Sequence, residues 1–172
     1  MKEPVLPTAA RLGHQPFFRG VPWRQLESLA AVAACADFAA DEVVFREGEE
    51  ANRFYLLLSG RVSLEAVAGG REVGLQTVEE GEALGWSWLF PPFRWQFTAR
   101  ALTPVHAFFF HAPSLRRQMD DDPALGHAVM QRMAAVLFER LQATRRRLAV
   151  VEEVAAGHPV RLVAVAPHHT TP

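Results

Sequence analysis

From residue 43 to residue 110 the chain is a succession of short apolar runs, each closed by turn-forming residues. The runs fall at 43–45, 54–58, 62–67, 71–78, 97–102 and 105–110, and the intervals carry REGEEAN, SGR, Gly69-Gly70 and EEGE. Segments this short and regularly spaced read as strands, and VSLEAV alternates as a half-buried strand does. The pattern therefore predicts an all-β sandwich or barrel. Three successive phenylalanines, 108–110, predict a strand buried on both faces or at a crowded helix contact.

The flanks read as helical. Residues 17–36 form a helix-rich lead-in, with Pro22 and Trp23 suited to a first turn and Leu26, Leu29, Ala30 and Ala33 at helical spacing. Residues 114–119 predict a short helix. Asp120–Asp122 with Pro123 then predict the start of a long one, because acidic residues favour its positive end and proline its first turn. From Val129 the stretch has neither Gly nor Pro through residue 153. Met130, Met133, Leu137, Leu141, Thr144, Leu148 and Val151 recur at three-to-four spacing and give helix 123–154 an apolar seam that calls for a partner helix. Homodimerisation through this seam is expected; packing on the chain's own barrel is the other way to bury it. Residues 1–14 read as an N-terminal extension and 156–172, with its Pro and His residues, as a flexible tail.

Of 172 residues, 49% are apolar, which is a globular composition. A formal charge of −1 provides no field favouring nucleic acid or membrane, and the single Cys35 excludes an internal disulfide or a Cys-rich metal site. No run approaches the ~18 apolar residues of a membrane span, so a cytoplasmic location is expected. No H-E-x-x-H, G-x-S-x-G or Lys-bearing phosphate loop occurs, and no nucleophile–base pair can be named. Neither catalytic nor metal-binding residues are assigned, and no enzyme activity is expected.

FREGEEANRFYLLLSGRVSLE (45–65), EEGEALG (79–85), TARAL (98–102) and RLQAT (140–144), in this order, resemble the cyclic-nucleotide-binding domain of the catabolite-activator and FNR superfamily. The resemblance spans about residues 15–155. It implies a mainly β fold with flanking α: a β-jelly-roll, or double-stranded β-helix barrel, with N-terminal helices and one long C-terminal helix. Gly48 and Gly60 would mark tight turns.

The resemblance also locates a ligand cassette, EGEALGWSWLFPPFRWQFTARA (80–101). In the family, a Glu after the glycine matching Gly85 binds the ribose hydroxyl, and an Arg six residues before the alanine matching Ala101 neutralises the cyclic phosphate. Here those positions hold Trp86 and Trp95, and Gln96 replaces the following Ser/Thr. Candidate pocket residues are Gly85, Trp86, Ser87, Arg94, Trp95, Gln96, Phe97, Thr98 and, by analogy with the helix residue that reads the purine, Thr144. Arg94 is adjacent to the phosphate position, but strand alternation points it to the opposite face. Three roles are open to Trp86, Trp88, Phe90, Phe93, Trp95 and Phe97: filling the vacant pocket, lining one for a flatter ligand, or forming a protein-contact patch. The cofactor is undefined, because a cyclic nucleotide would find its two charged anchors missing.

In the activators a winged helix-turn-helix follows the long helix. Only about 15–20 residues follow it here, so direct DNA binding is not expected. The expectation is a non-enzymatic regulatory or sensory module with a degenerate Trp-rich cassette that does not bind cyclic AMP in the usual way. The alternatives are an adaptor with a filled pocket and an aromatic contact patch, and, since some relatives hold haem, a haem sensor using His106 or His111.

Overall fold

The computed structural model describes residues 7–155. In chain order the elements are α1 (Ala9–Gly13), α2 (Trp23–Ala30), β1 (Ala33–Phe38), β2 (Val43–Phe45), β3 (Arg53–Ser59), β4 (Val62–Ala68), β5 (Arg71–Val78), β6 (Ala83–Leu84), β7 (Thr98–Ala101), β8 (Val105–His111), α3 (Ala112–Asp121) and α4 (Pro123–Ala155). Single 3-10 turns lie at Pro16–Phe18 and Ser87–Leu89. The strands form two four-stranded antiparallel sheets, ordered β1-β8-β3-β6 and β2-β7-β4-β5, the sandwich that the turn spacing predicts and a fold of the kind that the family resemblance implies. Gly48 and Gly60 take φ of +84° and +88°. At Gly60 a Cβ would stand 2.3 Å from the Pro104 carbonyl oxygen, so no other residue fits that turn.

Aromatic side chains of the first sheet alternate between two cores. Tyr55, from β3, faces the second sheet and stacks on Phe45 of β2, with ring centroids 6.2 Å apart. Its neighbour Phe54 turns the other way, towards Phe17 at 5.4 Å and Phe110 at 5.3 Å. Phe18 of the 3-10 turn closes this outer layer against Phe110. Period-two alternation thus divides one strand between an inter-sheet core and a helix-covered one. Phe108 and Phe110 are buried and Phe109 half-buried, as the triple phenylalanine predicts.

Two segments differ from their predicted form. Residues 33–36 are not the end of a helix. They belong to β1, whose Ala33, Cys35 and Ala36 pair with Phe110, Phe108 and Ala107 of β8. Alanine-rich sequence fits a helix, but here pairing with a phenylalanine-rich strand outweighs local propensity. Residues 9–13, read with the N-terminal extension, form α1, capped by the Thr8 hydroxyl, and its Leu12 is fully buried. The predicted flexible tail, 156–172, lies outside the described residues.

Asp122 ends α3 and caps α4, its Oδ1 accepting from the amides of Ala124 and Leu125 at 3.0 and 3.2 Å. One turn on, Gly126 passes so close to α3 that a Cβ there would lie 2.8 Å from the Met119 carbonyl oxygen. The chain divides into two compact units, one ending at Met133 and one beginning at Ala134. In the first, Leu125, Val129 and Met133 are buried. Met133 is 1% exposed, so this chain's own packing uses it, unlike the partner-facing role that the seam suggests. In the second unit, Phe138, Leu141, Leu148 and Val151 are exposed, at 61, 50, 57 and 62%.

Candidate functional site

The cassette leaves β6 at Gly85, whose φ of +86° is open to glycine and costly for other residues. A Cβ on Gly85 would meet Trp95 Cζ3 at 2.5 Å, so the indole lies directly over the bare Cα. Trp95 shares the inward face of its extended segment with Ala99 and Ala101, both fully buried. Its ring stacks on Phe45 with centroids 3.8 Å apart and planes 12° from parallel, and the residue is 4% exposed. Phe45 stacks in turn on Tyr55, which touches Phe38 and Phe109. A continuous aromatic column therefore runs inward from Gly85.

Main-chain bonds fix this arm. Trp95 N–H donates to the Glu49 carbonyl and Gly48 N–H to the Trp95 carbonyl, both at 2.9 Å, while Ala51 N–H donates to the Phe93 carbonyl at 2.7 Å. Between the arms, Pro91-Pro92 is cis and Phe93 sits at φ +55°. Arg116, from α3, holds both ends of this bend. Its Nη1 donates to the Trp88 carbonyl at 2.6 Å, and its guanidinium lies 4.2 Å from the Phe93 ring centroid. Trp88 is fully buried and packs on Phe54 in the helix-covered core. The two indoles Trp88 and Trp95 thus serve different cores.

The other candidates are placed as follows. Trp86 is half-buried and meets the half-buried Phe97 edge-on at 6.3 Å. Ser87 is buried in its 3-10 turn. Arg94 is exposed, its Nη1 donating to the Gly48 carbonyl at 2.8 Å, on the face opposite Trp95 as alternation predicts. Gln96 is exposed and donates to the Arg94 carbonyl, and Thr98 Oγ1 accepts from Glu47 N–H at 3.2 Å. Thr144 belongs to the second unit, where its hydroxyl donates to the Arg140 carbonyl at 2.9 Å. Gly85, Trp95 and Phe45 are therefore brought together, whereas Arg94 and Gln96 face solvent. Arg100 lies on the outer face, its Nε and Nη2 each 3.1 Å from Glu65 and Glu72; the Glu65 hydrogen bond above all raises its pKa. Residue reasoning missed Phe45, Tyr55 and Arg116. Alternation could have pointed Phe45 inward, but nothing near Arg116 in sequence signals its contact with the bend.

Tyr55 is the chain's one tyrosine, and burial pushes its phenol above the usual value near 10. A raised folded-state pKa adds stability below the unfolded value and forfeits it as pH rises through the folded one. Tyrosinate absorbance should therefore appear above about pH 10 only as far-ultraviolet dichroism is lost. A reversible tyrosinate titration in folded protein would show that Tyr55 is solvated.

The cyclic nucleotide-binding domain family model matches residues 36–122, so the chain belongs to that family. Among curated relatives, it is 29% identical over 139 residues to the CRP-like cAMP-activated global transcriptional regulator of Mycobacterium tuberculosis, covering 80% of this chain and 60% of the regulator. The chain thus spans about 60% of the length of the curated relatives it matches. Among solved structures, a candidate cyclic nucleotide-binding protein of Geobacter metallireducens GS-15 superposes with a TM-score of 0.70 at 30% identity, covering 78% of this chain and 98% of that one. The N-terminal domain of a Streptomyces coelicolor A3(2) transcriptional regulator gives 0.61 at 27% identity, covering 77 and 93%. Both curated relatives are transcriptional regulators. Among the described residues no helix is long and apolar enough to cross a membrane.

Proposed function

We propose that this chain is a non-enzymatic regulatory module whose nucleotide cassette has been rebuilt as core, so that ordinary cyclic AMP binds weakly or not at all. The carrying observation is Trp95: at the position of the family's phosphate anchor stands a buried indole stacked on Phe45 and lying over Gly85. A cyclic phosphate needs a cation and open amide groups, and an indole in that place supplies neither charge nor room. Trp86 likewise offers no acceptor for a ribose hydroxyl.

Isothermal titration with cyclic AMP and cyclic GMP, with native mass spectrometry of the protein as purified, tests this reading. The expected result is an apo mass and no saturation below about 10 µM. A tighter midpoint for either nucleotide, or a retained nucleotide mass, would overturn it.

The other roles find less support. Of the aromatic patch, Phe90 is 48% exposed, but Trp88 and Trp95 serve the interior. His106 and His111 are exposed, one paired with Asp37 and the other within 2.8 Å of Ser114 Oγ, which does not favour axial haem ligation. A cytoplasmic location belongs to the same reading. So does a homodimer formed through α4, for which the exposed Leu141, Leu148 and Val151 at heptad spacing, with Met130 before them, are the support.

A further inference from the structure

A cavity of about 280 Å³ opens beside α1, lined by Arg11, His14, Gln15, Leu58, Glu80 and Phe108. Its apolar part is the buried Phe108 ring and the half-buried Leu58; Arg11, His14 and Glu80 are exposed. The two signs come from different elements. Arg11 and His14 belong to α1 and its C-cap, and Glu80 to the turn between β5 and β6.

Both supports are rigid. Leu12 anchors α1 in the core, and His14 Nδ1 donates to the Ala10 carbonyl at 2.7 Å, which leaves Nε2 as the ring's free nitrogen. The β5–β6 turn is clipped to β3 by Gly81 N–H to the Leu57 carbonyl at 2.8 Å and Leu57 N–H to the Glu82 carbonyl at 3.1 Å. Among the described residues, neither Arg11 nor Glu80 enters any side-chain ion pair, with each other or with a third group. Opposite charges that face one cavity without meeting leave room for a molecule bearing both complements. The volume lies just under the ~300 Å³ lower bound of drug-sized pockets, which suits a ligand of amino-acid size.

We propose that this cavity binds a free α-amino acid with an apolar side chain, Arg11 taking the carboxylate, Glu80 the ammonium, and Phe108 with Leu58 the side chain. Glu80 is the first residue of the cassette, but neither Trp86 nor Trp95 lines the cavity, so the assignment does not depend on how the indoles fill the nucleotide position. Recognition of both charges favours the zwitterion over analogues lacking one of them, by a severalfold margin because Arg11 and Glu80 are exposed.

The test is saturation-transfer NMR with L-leucine on the whole chain, alongside 4-methylpentanoate, which lacks the ammonium, and 3-methylbutylamine, which lacks the carboxylate. L-leucine should saturate with a dissociation constant on the order of 1 mM, given its few heavy atoms. Each analogue should bind about three- to fivefold more weakly, as should L-leucine to Arg11→Gln and to Glu80→Gln. Both substituted residues are exposed, so thermal midpoints should not move. The assignment is overturned if L-leucine fails to saturate by about 50 mM, if either analogue matches it, or if both variants retain wild-type affinity. Amine and acid discrimination without sensitivity to the variants would place the ligand elsewhere and overturn it equally.

Discussion

Trp95→Ala should lower the unfolding free energy by about 3–5 kcal/mol, the range for removing a buried aromatic side chain. Its indole is 4% exposed and stacked on Phe45 over a bare glycine, so truncation leaves a void that rigid neighbours cannot close. Gly85→Ala should also destabilise, for two separable reasons: φ of +86° disfavours a Cβ by about 1–2 kcal/mol, and that Cβ would fall 2.5 Å from the Trp95 ring. Only the second cost depends on Trp95. In a Trp95→Ala background, Gly85→Ala should therefore cost the backbone contribution alone, and the double variant should be more stable than the summed single effects by about 1 kcal/mol or more. Urea melts followed by circular dichroism measure all four corners of the cycle. If the effects add within about 0.5 kcal/mol, the indole does not fill the space over Gly85.

A second large effect is expected on assembly. Leu141→Glu with Leu148→Glu places four carboxylates in one seam of a dimer, where like charges repel and apolar burial is lost. Light scattering at about 100 µM should report a dimer for the parent chain and half that mass for the variant, with helicity little changed, since both positions are exposed in the single chain. A monomeric parent at that concentration, or a variant that stays dimeric, would remove the seam from the account. Met133→Glu is a poor substitute test, because that side chain is already buried and its loss would unfold the first unit.

Much of this was legible in the residues. Turn glycines and short alternating runs locate six of the eight strands, because hairpin geometry is written in local chemistry. β1 escaped because Ala33, Ala34, Cys35 and Ala36 carry no strand preference of their own; Phe108–Phe110 across the ladder decide their conformation. β6 is two residues long, too brief for any period. At the site, counting back in steps of two from Ala101 puts Trp95 inward and Arg94 outward, which holds. What alternation cannot reach is the 3-10 turn. Trp88 joins the other core through a bend, under the grip of Arg116 from 28 residues away. The seam behaves similarly: Met130 and Met133 sit on one predicted stripe, yet only Met133 is turned into the chain's own packing.

The meeting of Met119 and Gly126 sets a mechanical stop. With 2.8 Å between the carbonyl oxygen and the place of a missing methyl group, the elbow from α3 into α4 is tighter than a residue bearing a Cβ allows. An alanine there would act as a shim under the first turns of α4 and prise the elbow open by a few tenths of an ångström or more. One added carbon is therefore enough to alter the angle at which the first turn of α4 leaves α3.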